Sequence, residues 1–152
     1  MNDRVIQELL DRERIENVVN TLFIATDARE WNRVRSCFAP VVTFDMTSLA
    51  GGAVQERSPE QITAAWEVGL RPIEHVHHQI GNLSVRCAGA EADASCYGVA
   101  FHYRRTQSGR NTRTFVGSYD FHFVLEGGTW LIRSFTFKLK FIDGNLELER
   151  EP

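Results

Sequence analysis

Apolar residues recur at three- and four-residue steps from Val5 to about Asp27, with Ile15, Val18, Val19, Leu22 and Phe23 on one stripe. That is the period of an amphipathic helix. Trp31, Val34 and Phe38 share a face in the same way, which predicts a shorter helix over about Glu30–Phe38, stopped by Pro40. Val41 to Met46 reads as a short strand, and Gly51-Gly52 opens a loop. Ser58-Pro59-Glu60-Gln61 then offers an N-cap, a proline at the first helical position and a glutamine three residues on, so a third helix is expected over about Pro59–Leu70. Beyond Pro72 the period falls to two. Strands are expected at about His75–Cys87, Ala92–Thr106, Thr112–Glu126 and Thr129–Ile142, with turns at Ala88-Gly89-Ala90, Ser108-Gly109 and Gly127-Gly128. In the third of these, Phe115, Tyr119, Phe121, Phe123 and Leu125 face away from Thr114, Ser118, Asp120 and His122. In the fourth, Leu131, Phe135, Phe137, Leu139 and Phe141 face away from Ser134, Thr136, Lys138 and Lys140.

Helices first and an antiparallel meander after them predict an α+β architecture, with a curved sheet packed on three N-terminal helices. A bent sheet closing over a helix leaves a cone with a mouth. No repeat or linker divides residues 1–152, so one domain is expected. The apolar fraction of 43% and charged fraction of 24% exclude wholesale disorder. A net charge of −3 gives no footprint for a phosphate backbone, so no nucleic-acid partner is expected. The basic cluster Arg104, Arg105, Arg110 and Arg113 brackets Ser108-Gly109 and reads as a solvated hairpin tip. No apolar run reaches the roughly 20 residues of a membrane span, and Met1 to Glu16 is studded with charge. A cytoplasmic protein without a membrane partner is expected. Cys37, Cys87 and Cys96 are odd in number and lack CxxC spacing, which predicts reduced, buried thiols. The outer sheet face carries aromatic and aliphatic residues that three helices cannot also cover, which predicts a homo-oligomer, dimer or trimer.

Asp27 is the first residue that breaks the pattern. It continues the stripe of Val19 and Phe23, which puts a carboxylate on the core-facing side. It either caps the helical turn that follows or points into an interior pocket toward a histidine. Three histidines, His75, His77 and His78, crowd one strand, and alternation sends His77 and His78 to opposite faces. His102 shares its face with Cys96, Gly98 and Ala100, small residues that leave room for a pocket wall or simply surround a buried histidine. His122, in parity with Asp120, Ser118 and Thr114, belongs to a polar outer or oligomer-facing surface. Asp27, His78 and His102 could form a facial triad for a metal, although imidazoles suit general acid–base work without one. The sequence has no GxSxG elbow, no phosphate-binding loop and no dinucleotide fingerprint.

The run from Ala25 through Asp27, Trp31 and Phe38 to Pro40, followed by Val42-Thr43-Phe44-Asp45, resembles the opening of SnoaL-like domains in the nuclear-transport-factor-2-like superfamily. His78-Gln79-Ile80-Gly81, His102 and Gly128-Thr129-Trp130 are similar in order and spacing to the scytalone dehydratases of that superfamily. The resemblance covers nearly the whole chain. It implies a cone of long strands over three helices, with a pocket at the mouth. It implies that Asp27 holds His78 as the base, that His102 assists across the pocket, and that no metal or organic cofactor takes part. The reaction would be a dehydration, an isomerisation or a related proton-abstracting elimination on a small hydrophobic or aromatic hydroxy or carbonyl compound. Substrate-contacting positions would be Thr26, Met46, Trp66, Gly117, Tyr119 and Phe137. Thr26 and Met46 stand where scytalone dehydratase has tyrosines, and Gly117 and Tyr119 where it has a serine and an asparagine, which argues against scytalone itself. A non-catalytic ligand-binding or assembly module of the same fold is the alternative.

Overall fold

The computed structural model describes residues 2–152. A long helix, α1 (Asp3–Asp27), is capped by the Asn2 side chain, which accepts from the Arg4 amide at 3.2 Å. Then follow α2 (Trp31–Ser36), β1 (Phe38–Asp45), a single-turn α3 (Thr47–Ala50), β2 (Gln55–Arg57) and α4 (Pro59–Leu70). Four long strands complete the chain: β3 (His75–Ala88), β4 (Glu91–Tyr103), β5 (Thr112–Glu126) and β6 (Thr129–Gly144). They form one sheet in the order β2-β1-β6-β5-β4-β3. Every pairing is antiparallel except β1 on β6, which is parallel, so the sheet is mixed.

The expected α+β cone is the fold that forms. Its curvature comes from register breaks, because an extra residue on one strand bends and twists the pair. One lies between Gly81 and Ser84 with Asn82 at φ 54°, and others lie between Val116 and Gly117 and between His122 and Phe123. The inner face packs on α1: Ile15, Val19, Leu22 and Phe23 are buried against Phe121, Phe123, Ile132 and Phe135. At the start of β6 Trp130 is 2% exposed, and its indole N–H donates to the buried Asp11 carboxylate at 3.1 Å. Among the described residues no helix is long and apolar enough to cross a membrane.

Several local expectations are corrected. The second helix ends at Ser36 rather than Phe38, and Phe38 opens β1. Pro40 does not stop a helix but sits exposed inside the strand, where the β1–β6 register shifts and no N–H is needed. The Gly51-Gly52 loop is flanked by α3 and β2. An Asx-type turn starts α3, with Asp45 Oδ1 accepting from the Thr47 amide at 3.0 Å and its hydroxyl at 2.7 Å. On β6 strict alternation fails twice. The register skips Arg133, so Trp130 and Ile132, not Leu131, join Phe135 in the core. It skips Lys140 as well, and Phe141 emerges 54% exposed.

The hairpin around Ser108-Gly109 is also not a freely solvated tip. Arg104 donates through Nη1 to the carbonyls of Leu148 at 2.8 Å and Glu151 at 2.5 Å, and Arg113 is only 9% exposed. These bonds dock the C-terminal segment, residues 145–152, whose Leu148 is fully buried with Leu70, Ile73 and Val76.

Candidate active site

Both oxygens of Asp27, the last residue of α1, meet His78. Oδ1 lies 2.6 Å from His78 Nδ1, and Oδ2 accepts from the His78 backbone N–H at 2.8 Å. Asp27 is therefore not a helix cap. The helix end is fixed by the next residues: Arg29 takes φ 56°, and its guanidinium donates to the carbonyls of Leu70 at 3.2 Å and of Ile73. This ties the end of α1 to the end of α4 and presents Asp27 to β3. A carboxylate only accepts, so Nδ1 of His78 carries a proton, and in the neutral ring Nε2 is the nitrogen with the lone pair.

His78 and His102 lie on the inner sheet face, His78 opposite Ala100 and His102 opposite Val76. They are thus diagonal neighbours, a geometry that spaces such residues by roughly 7–8 Å, with the Cβ atoms somewhat closer. His77 faces outward against Phe101, as alternation requires. His102 Nδ1 lies 3.3 Å from Arg113 Nη2. Arg113 is paired in turn with Glu149, Nη1 donating to Oε2 at 2.8 Å and Nη2 to Oε1. Burial, then Arg113 and then His78 push the His102 pKa down from 6.5 to about 4, against weaker opposing pulls from Glu149 and Asp27. His102 is neutral at physiological pH.

These groups border a cavity of about 300 Å³. Phe23, Trp66, Phe115, Tyr119 and Phe135 make aromatic walls, Met46 and Leu49 cover one side, and Thr26, His78, His102 and Arg113 also line it. The Thr26 hydroxyl donates back to the Leu22 carbonyl at 2.7 Å. Burial raises the Tyr119 phenol well above its ordinary value, so it stays protonated and can donate. The ring has space because Gly98 lacks a side chain: a Cβ there would come within 2.9 Å of Tyr119 Cδ2 and closer still to Cε2.

Of the positions singled out in the sequence, Asp27 and His78 are bonded to each other, and Thr26, Met46, Trp66, His78, His102 and Tyr119 border one cavity. Gly117 and Phe137 are not on its wall. The Phe137 ring lies over Gly117, where a Cβ would meet its Cε2 at 2.8 Å. Among the described residues no three ligand-type side chains converge as a metal set. Both oxygens of Asp27 are held by His78, and Nδ1 of His102 faces a guanidinium.

Sequence reasoning missed Arg113, Glu149, Phe23, Leu49 and Phe115 as site residues. Arg113 could have been found, since it shares parity with Phe115 and Tyr119 on an otherwise apolar face. Glu149 carried no signal, because its place depends on how the C-terminal segment docks. His122 lies on the outer face, 2.8 Å from Asp93 and 3.1 Å from Glu91. The three cysteines are free, and burial pushes Cys37 up to about 11 and Cys96 up to about 12, so neither is a thiolate.

Residues 7–136 match a family model described as a SnoaL-like domain. No curated protein matches the chain. Many solved structures do. The protein Kfla4162 from Kribbella flavida superposes with a TM-score of 0.88 at 20% identity, over 94% of this chain and 99% of that one. A candidate scytalone dehydratase from Novosphingobium aromaticivorans gives 0.78 at 15% identity, over 93% and 91%. A hexachlorocyclohexane dehydrochlorinase from Novosphingobium barchaimii gives 0.78 at 13%, over 97% and 98%. At such identities the likeness is one of fold.

Proposed function

The chain belongs to the SnoaL-like domain family of the nuclear-transport-factor-2-like superfamily, and from that premise we propose that it is a lyase-type enzyme that works by general acid–base catalysis without a cofactor. The observation that carries the reading is the 2.6 Å Asp27–His78 contact at the edge of an aromatic-walled cavity, with a second, neutral histidine beside it on the next strand rather than across the pocket. Structural neighbours whose names denote a dehydratase and a dehydrochlorinase support it.

In this reading His78 Nε2 removes a proton from a carbon made acidic by an adjacent carbonyl or ring. Asp27 keeps the tautomer and balances the imidazolium that forms. The C–H electron pair becomes the new double bond, and the leaving group departs with its own bonding pair. His102 donates from Nε2 to that departing atom or to the carbonyl oxygen. When the leaving group is hydroxide, the proton held by His78 passes to it and water is released; when it is halide, that proton passes to solvent. When the proton returns to a different carbon, the outcome is isomerisation.

Thr26, Met46, Trp66 and Tyr119 form the substrate's surroundings, and their aromatic and aliphatic character fits a small hydrophobic or aromatic hydroxy or carbonyl compound. Gly117 and Phe137 act from behind the wall, by letting the sheet close under Tyr119. A cavity of about 300 Å³ argues against an assembly module whose cone is filled by its own side chains.

The test is turnover of β-hydroxy and β-halo aryl ketones, followed by the absorbance of the conjugated product. His78→Ala should lower the rate by ~10²–10⁴ with the circular dichroism spectrum unchanged. Full activity in that variant, or no turnover by the wild type of any ketone that binds, overturns the reading.

A further inference from the structure

The unusual feature of the cavity wall is a buried arginine that touches a histidine. Guanidinium has donors only. Nδ1 of His102, 3.3 Å from Arg113 Nη2, must therefore be the unprotonated nitrogen, and the ring proton must sit on Nε2. Arg113 is not free to turn away. Glu149 grips both its terminal nitrogens, its guanidinium lies 5.0 Å from the Phe115 ring centroid, and His102 packs on the same ring at 4.9 Å. Arg113 Nε is buried with no hydrogen-bond partner, a cost that a side chain serving only to hold Glu149 need not bear.

We propose that Arg113, held by Glu149 of the C-terminal segment, is a positioning residue that locks His102 with its proton on Nε2 and so selects ligands presenting a hydrogen-bond acceptor there. The inference rests on the proposed acid–base site, and it gives that site a polarity. His78 offers a lone pair, while His102 and the Tyr119 phenol offer donors. The ligand class that matches is an aromatic ketone or an activated alcohol or halide whose acceptor atom lies over His102 and whose acidic C–H lies over His78. An aromatic amine of the same shape, presenting N–H to His102, meets a donor and is disfavoured.

The charged and titratable groups whose fields reach His102 are Arg113 from β5, His78 and Asp27 from the dyad side, and Glu149 from the C-terminal segment. Of these only Arg113 contacts Nδ1. Among the described residues it is the one side chain hydrogen-bonded to the His102 ring.

The experiment is long-range proton–nitrogen NMR of the ¹⁵N-labelled full chain near neutral pH, which reads each ring nitrogen as protonated or bare and needs no turnover. The wild type should give a single His102 form, bare at Nδ1. Arg113→Met should convert it to a mixture of tautomers, and Arg113→Lys, which keeps a donor, should restore the single form. The His78 Nδ1–H signal should persist in all three, which separates a tautomer effect from loss of fold. Should Arg113→Met not fold, Glu149→Gln, which loosens the grip on Arg113, is read in its place and should show the mixture.

In parallel, binding of 1-tetralone is compared with that of 1-naphthylamine. The wild-type preference for the ketone should fall by about tenfold in Arg113→Met, or in its stand-in, the scale of one hydrogen bond. A wild-type His102 protonated at Nδ1, or an unchanged tautomer in the variant read, overturns the proposal while leaving the Asp27–His78 base standing. Loss of the acid–base reading through His78→Ala would instead leave these nitrogen signals as described.

Discussion

Replacing His102 by Gln removes a titrating group while keeping a side chain that can accept from Arg113, and the consequence for stability can be worked from the site. In the folded protein the His102 pKa is pushed down from 6.5 to about 4, chiefly by burial and secondarily by the Arg113 charge. Between those values the unfolded chain binds a proton that the folded chain refuses, so stability rises with pH. The contribution is fully present above 6.5 and is lost as pH falls toward 4. The whole gap corresponds to a ceiling on the order of 3 kcal/mol, and lowering the pH from about 7.5 to about 5 withdraws roughly 2 kcal/mol of it. His102 is half-buried at a cavity wall, and solvent screening reduces the readable part to about 1–2 kcal/mol. Urea unfolding of the wild type and of His102→Gln at both pH values gives the difference directly. The wild type should lose about 1–2 kcal/mol more than the variant on acidification. Parallel losses in the two proteins would refute the placement of His102 as a neutral, desolvated group and with it the donor role assigned to its Nε2.

Asp11→Ala should cost about 1–3 kcal/mol in the same assay at neutral pH, because it strands the buried Trp130 indole N–H; unchanged stability would mean that water replaces the carboxylate. Gly98→Ala must displace the Tyr119 ring, so a loss of about 1–3 kcal/mol is expected together with weaker ligand binding, and an unaltered affinity would place the ligand away from Tyr119. His122 works in the opposite sense to His102. Its hydrogen bonds to Asp93 and Glu91 raise its pKa, so its contribution is complete below the unfolded value and fades as pH rises through the folded one. Asp93→Asn should move the His122 ring titration in NMR to lower pH, and an unmoved midpoint would contradict the pairing.

The periodic parts of this fold are legible in its sequence, and the breaks in periodicity are not. The stripe of Ile15, Val19, Leu22 and Phe23 marks α1, and the same stripe carried on to Asp27 points to the dyad. Ser58-Pro59-Glu60-Gln61 fixes the start of α4 through a complete capping box. Parity separates His77 from His78, and the structure puts His78 inside and His77 outside. Parity misleads where the ladder slips, at Arg133 and Lys140, because one skipped residue exchanges the faces of everything beyond it. Pro40 misleads for a related reason, since a register shift makes a strand interior tolerate it. Arg113 is hidden among neighbouring arginines although its parity with Phe115 and Tyr119 marks the inner face, and its pairing with Glu149, 36 residues away, holds it there. Such long-range docking has no local signature.

The central claim is that the Asp27–His78 pair takes a proton from carbon. It is tested most directly by following deuterium incorporation from D2O at the α-carbon of an aryl ketone shown by NMR to bind, with the wild type and with His78→Gln. The wild type should catalyse the exchange, and His78→Gln should slow it by ~10²–10⁴. Equal exchange in both proteins, or none by a wild type that binds the ketone, would contradict the account.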